Sequence, residues 1–119
     1  MVGICNGAGE LGPRALGHRS LLARADRVPL RDRVSEGIKR RAWSRPVAPV
    51  LCAEAAADVL DPVAVESPLS RFMLGAWPVR PAWRRGLAGV LHGDGSVRAQ
   101  VVRANDPDNG WLHALLRRL

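Results

Sequence analysis

A chain of 119 residues has material for one domain and not two. Hydrophobic residues make up 47% of it, which suffices for a core and excludes global disorder. Lysine and arginine number 18 against 11 acidic residues, a net charge of +7, and no apolar run reaches the length of a membrane-spanning helix.

A domain this small buries a modest share of its surface, and its large apolar groups are four tryptophans and one phenylalanine among many leucines and valines, so modest stability is expected. Lys39 is the single lysine; every other basic residue is arginine. Arginine is permanently charged and presents a planar fork that matches phosphate and carboxylate oxygens bidentately. The expected partner is therefore rich in such oxygens: a nucleotide, a small phosphate ester or a nucleic acid. Cys5 and Cys52 have neither metal-ligand spacing nor a disulfide pattern, so they read as reduced, packed thiols, and no metal site is expected. The first residues lack the features of a secretory leader, which points to the cytoplasm.

In chain order, Met1 to Asn6 is an apolar run ending at a glycine-rich turn and predicts a buried strand. Gly7, Gly9, Gly12 and Gly17, interrupted by Pro13, predict a shaped loop whose backbone can approach a ligand. Pro29 suits a first helical turn, with Leu30, Val34 and Ile38 on one face and Arg31, Asp32, Arg33 and Glu36 on the solvated one. Val47 to Ala53 predicts a strand broken by Pro49, followed by a short helix over Ala53 to Leu60, with Pro62 and Pro68 marking a loop beyond it. Phe72 to Val79 predicts another buried strand. Leu87 to Leu91 and Val97 to Val102 flank His92-Gly93-Asp94-Gly95-Ser96 and predict a hairpin, with Arg98 and Gln100 on one face of its second strand. Trp111, Leu112, Leu115, Leu116 and Leu119 have the spacing of an amphipathic helix. Helices and strands intermix, so the fold class is α/β or α+β: one small domain around a twisted mixed sheet.

Three segments carry chemistry. In Gly9-Glu10-Leu11-Gly12-Pro13-Arg14-Ala15-Leu16-Gly17-His18-Arg19-Ser20, Arg14 and Arg19 project from a turn-rich loop whose amides can form an anion nest; equally, Arg14 pairs with Glu10 and pins the loop. In Lys39-Arg40-Arg41-Ala42-Trp43-Ser44-Arg45-Pro46-Val47-Ala48-Pro49, the basic residues either surround a phosphoryl group or complement the dipole at a helix end. In the His92–Gln100 segment, Arg98 and Gln100 offer a charged fork and an amide. Asp94 reads as a turn cap, and His92 is open between local pairing and a ligand role.

These runs resemble the O-carbamoyltransferases that modify nodulation factors, cephamycins and aminoglycosides. The Gly12-Pro13-Arg14-Ala15-Leu16-Gly17 run is similar to that family's loop, and Lys39, Arg41, Arg45, Pro46, Ala48 and Pro49 match its second motif. Ala42 stands where the family has glutamate, and Ser44 and Val47 where it has phenylalanine. The hairpin resembles the family's histidine-x-aspartate-glycine-x-x-arginine-x-glutamine motif, and a weaker likeness runs through Ser67-Pro68 and Pro78-Val79-Arg80. The resemblance implies part of a YrdC-like fold, akin to threonylcarbamoyl-adenylate synthases, that binds ATP (with its own magnesium) and carbamoyl phosphate and forms carbamoyl adenylate for a hydroxyl acceptor. It implies catalytic roles for Arg14, Lys39 and Arg45, and substrate contacts from these and from Arg19, Arg41, His92, Arg98 and Gln100. Against the family's pattern, the acceptor-binding domain and the last part of this one are expected to be missing. The expected partners are therefore small-molecule phosphates and a separate acceptor domain or subunit. Two alternatives compete: a non-catalytic subunit docking through Trp111, Leu112 and Leu115, and a nucleic-acid-binding module. The second is disfavoured because the arginines cluster in loops and no helix carries a sustained basic face.

Overall fold

The computed structural model describes residues 1–119. Its first unit is a hairpin, β1 (Val2–Cys5) against β2 (Arg19–Leu22), antiparallel with Val2 opposite Leu22 and Cys5 opposite Arg19. The glycine-rich segment is the excursion that joins these strands, closed at its base where the Asn6 N–H donates to the His18 carbonyl at 2.9 Å. β2 was not legible as a strand, being four residues that open with arginine and serine. β1 forms as expected but is not buried: only Ile4 is partly covered.

The helix expected at Pro29 begins as α1 (Val28–Asp32) and widens into a π-helical turn over Arg33–Ile38. Val34 and Ser35 are buried, whereas Ile38 is 47% exposed, because the wider turn rotates it off the stripe. Beyond it, Arg40 has φ of 48°, a left-handed conformation uncommon for a side chain with a Cβ.

β3 (Val50–Cys52) leads directly into α2 (Ala53–Val59). The segment marked by Pro62 and Pro68 is helical, not a loop: α3 (Pro62–Glu66) and α4 (Pro68–Arg71) each place proline in the first turn. Asp61 and Ser67 cap them, accepting from the Val63 N–H at 2.9 Å and the Leu69 N–H at 3.3 Å. Phe72 to Val79 yields only β4 (Trp77–Pro78), and Phe72 and Leu74 are exposed.

The hairpin expected around His92 is half right. His92 to Ser96 is a tight turn, with the His92 N–H donating to the Ser96 carbonyl at 2.8 Å. Leu87 to Leu91, however, is a set of helical turns following a 3₁₀ segment at Pro81–Trp83. β5 (Ser96–Val97) pairs instead with β4, antiparallel, and β6 (Gln100–Val102) pairs parallel with β3. Residues 96–102 thus change partner midway, at Arg98 and Ala99. The architecture is α+β in one small domain, as expected, and its mixed pairing is divided among three short ladders, two antiparallel and one parallel.

The main core gathers Val59, Leu60, Ala64, Val79, Leu87, Val90, Val97 and Ala99; a second cluster holds Ala56, Val65 and Val101. Alternate residues of the 96–102 segment thus fill the core. The other face is covered too, since Gln100 is 4% and Val102 1% exposed. The last helix, α5 (Gly110–Leu116), buries Leu112 and His113. The apolar face expected to dock a partner is therefore turned inward at Leu112, with Trp111 and Leu115 partly covered. No helix is long and apolar enough to cross a membrane.

Candidate functional site

The glycine-rich excursion is shaped by one carboxylate. Glu10 Oε1 accepts from the backbone N–H groups of Leu16 (2.7 Å), His18 (2.9 Å) and Arg19 (3.1 Å). Partial burial opposes ionisation of Glu10, but these amides outweigh it and hold the carboxyl at about 2, down from 4.5. Glu10 therefore pins the loop through backbone donors, and the ion pair with Arg14 considered above does not form. Gln100 anchors the same loop from β6, donating from Nε2 to the Leu16 carbonyl at 3.0 Å. Gly17 fits because it has φ of 111° and because a Cβ there would lie 2.7 Å from Asn109 Oδ1 and 3.0 Å from Leu112.

Because the folded pKa of Glu10 is depressed, its contribution is complete above about pH 4.5 and disappears as pH falls through about 2. Glu10→Gln keeps the shape and loses the charge. Protection of the Leu16, His18 and Arg19 amides against hydrogen exchange is expected to fall about tenfold in that variant. The variant's protection should also stay flat between pH 4.5 and 2, where the parent's declines.

Against this loop lies a cleft of about 150 Å³ lined by Pro13, Arg14, Arg24, Arg31, Lys39, Arg41, Arg98 and Gln100 among apolar neighbours. No aspartate or glutamate lines it. Two of its cations are already paired, Arg24 with Asp26 and Arg31 with Asp32, each at 2.7 Å. Arg14, Lys39, Arg41 and Arg98 form no salt bridge. The Nε atoms of Arg14 and Arg98 are buried with no hydrogen-bond partner, a costly arrangement that an oxyanion would relieve. Burial pushes the Arg98 pKa down, and the charges of Arg14, Arg41 and Arg45 push it further. Lys39 is lowered likewise, by burial first and then by Arg41. A more open basin adjoins the cleft, sharing Pro13, Arg14, Ala15, Lys39 and Arg41 and adding Glu10, Gly12 and Arg19.

Local backbone explains how sequence-distant cations meet. The π turn and the left-handed Arg40 set Lys39 and Arg41 on the cleft wall. Arg98 reaches it because it sits where its strand changes partner. The remaining candidates are placed differently. Arg19 is engaged with the carbonyls of Asn6 (3.2 Å), His18 (3.1 Å) and Gly7 (2.9 Å), so it braces the loop base. Arg45 is exposed and does not line the cleft, though its charge reaches Arg98. His92 also lies off the cleft wall, with Nδ1 3.0 Å from Ser96 Oγ. Asp94 caps the turn, accepting from the Ser96 N–H at 2.9 Å. Glu10, read in the sequence only as a partner for Arg14, instead holds the loop through the backbone amides of Leu16, His18 and Arg19.

Such a site defines a small α+β domain with a cleft of fixed cations set against shaped backbone. The chain matches the family described as Carbamoyltransferase C-terminus over residues 1–119, and it belongs to that family. It is 40% identical over 96 residues to nodulation protein U of Azorhizobium caulinodans, covering 81% of this chain and 16% of the relative. To the 3'-hydroxymethylcephem-O-carbamoyltransferase of Amycolatopsis lactamdurans it is 42% identical over 116 residues, covering 98% of this chain and 21% of the relative. To nodulation protein NolNO of Sinorhizobium fredii it is 36% identical over 113 residues, covering 93% and 16%. The chain thus spans about a fifth or less of the length of these relatives.

Proposed function

We propose that this domain binds carbamoyl phosphate and ATP in the basic cleft and supports formation of carbamoyl adenylate: one water is consumed as phosphate is released from carbamoyl phosphate, and the carbamate oxygen so freed attacks the α-phosphorus of ATP and displaces pyrophosphate. The carbamoyl group then passes to a hydroxyl acceptor held by a separate domain or subunit, in the biosynthesis of a natural product or glycan. The observation that carries this reading is the convergence of Arg14, Lys39, Arg41 and Arg98, none paired with a carboxylate, on a cleft that no acidic residue lines. Membership of the carbamoyltransferase family supports it from a second side.

The chemistry needs two polyanions held against each other, which free in solution repel. Fixed cations remove that repulsion and stabilise charge developing on the transferring phosphoryl without reorganising at the moment of reaction. Arg14 and Arg98 supply bidentate forks, Lys39 a compact point charge, and Arg41 the bridge to the outer basin. Glu10 and Gln100 hold the loop that carries Arg14.

The test is exchange of labelled pyrophosphate into ATP by the full chain with magnesium. Exchange should depend on carbamoyl phosphate and fall about a hundredfold or more in Lys39→Ala, as expected where a charge acting on a phosphoryl transition state is removed. Exchange indifferent to carbamoyl phosphate, or unaffected by Lys39→Ala, would contradict the assignment.

A further inference from the structure

Outside the cleft, the fold brings together three donors that the sequence keeps far apart. Cys52 ends β3, Glu54 lies in the first turn of α2, and His113 comes from α5. Their ligand atoms all lie within 4.8 Å of one another. His113 Nε2 is 3.0 Å from Glu54 Oε2 and 3.2 Å from Oε1, and the Cys52 thiol donates to the His113 carbonyl at 3.8 Å. Cys52 is 7% and His113 8% exposed, while Glu54 faces solvent. None of the three lines the basic cleft.

We propose that Cys52, Glu54 and His113 form a binding site for a divalent transition-metal ion of the zinc class. A tetrahedral zinc site places thiolate, imidazole and carboxylate donors about 3.4–3.6 Å apart, given bond lengths near 2.3 Å to sulfur and 2.0–2.2 Å to nitrogen and oxygen. The donors here lie no more than 4.8 Å apart and as close as 3.0 Å, so closure takes adjustments of about an ångström in side-chain positions, mainly of the solvent-facing Glu54. The thiol and imidazole select against magnesium and calcium, which prefer all-oxygen shells. Three protein ligands leave a fourth position on the exposed Glu54 side for water. Burial raises the Cys52 thiol, the Glu54 charge raises it further, and the Arg117 charge partly offsets both. Binding displaces the thiol proton, because the thiolate is the ligand. The ion would tie α5 to the β3–α2 corner.

Cobalt(II) is the probe, added to the reduced full chain without nucleotide, so that the outcome is independent of the basic cleft. The expected result is one equivalent bound with a thiolate-to-cobalt charge-transfer absorption, displaced by zinc(II) and accompanied by a rise in thermal midpoint. Cys52→Ser should abolish the absorption and Cys5→Ser should leave it intact, since Cys5 lies in the exposed hairpin. Glu54→Gln, exposed and unable to disturb the core, should weaken binding about tenfold or more with the fold unchanged by circular dichroism. A folded parent chain without the absorption, or an absorption that survives Cys52→Ser and vanishes in Cys5→Ser, would overturn the site.

Discussion

Replacing Arg98 with methionine is expected to leave the unliganded chain as stable as the parent or more so, while weakening binding of carbamoyl phosphate or magnesium-ATP about thirty- to a hundredfold. The opposite signs follow from one fact. Arg98 is half-buried, with an unpartnered Nε, and the charges of Arg14, Arg41 and Arg45 lower its pKa after burial itself. Without an anion it is repelled by its neighbours, and methionine keeps the apolar stem while removing that repulsion. With an anion present, the same guanidinium contributes a charged hydrogen bond in a partly desolvated site, about 2–3 kcal/mol. Thermal melts with and without ligand check both halves at once. A variant destabilised without ligand would show that Arg98 is chiefly a packing residue.

Gly89→Ala is the second large effect, and it acts on the fold. A Cβ at Gly89 would lie 2.8 Å from the carbonyl oxygens of both Ala25 and Arg27. Both obstacles are backbone, and the Gly89 N–H already donates to the Ala25 carbonyl at 2.8 Å, so relief requires pulling two segments apart. Overpacking of this kind costs about 2–3 kcal/mol, which at this chain length lowers the melting temperature by about 10 °C. Gly93→Ala is the control, because nothing lies within 4 Å of its Cβ position. It should change stability by no more than about 0.5 kcal/mol. Equal effects at the two glycines would mean that the close approach at Gly89 is not rigid.

Local signals were legible where the chain decides its own conformation. The strand at Val2, the helix start at Pro29, α2, the turn from His92 to Ser96 and α5 all follow from propensity, proline placement and periodicity. What stayed hidden depends on partners distant in sequence. The change of partner at Arg98 could not be read from the alternation of Val97, Ala99 and Val101, because alternation gives faces and not neighbours. The helices α3 and α4 were read as loop because Pro62 and Pro68 signal both a break and a first helical turn. Among the candidate residues, Arg14, Lys39, Arg41, Arg98 and Gln100 meet at the cleft, whereas Arg19, Arg45 and His92 lie off its wall. That division rests on hydrogen bonds to carbonyls and on exposure, neither of which residue type reveals. The grouping of Cys52, Glu54 and His113 was invisible for the same reason, since 59 residues separate Glu54 from His113.

The most direct measurement is calorimetric titration of the full chain with carbamoyl phosphate and with magnesium-ATP, alone and in sequence, at two salt concentrations. A built anion site predicts one saturable event for each ligand, tightening of the second by the first, and only a modest loss of affinity at higher salt, because the cations are partly buried. No saturable heat from either ligand would contradict the assignment of the cleft. Steep, salt-labile binding to nucleic acid in its place would transfer the +7 charge to a different partner.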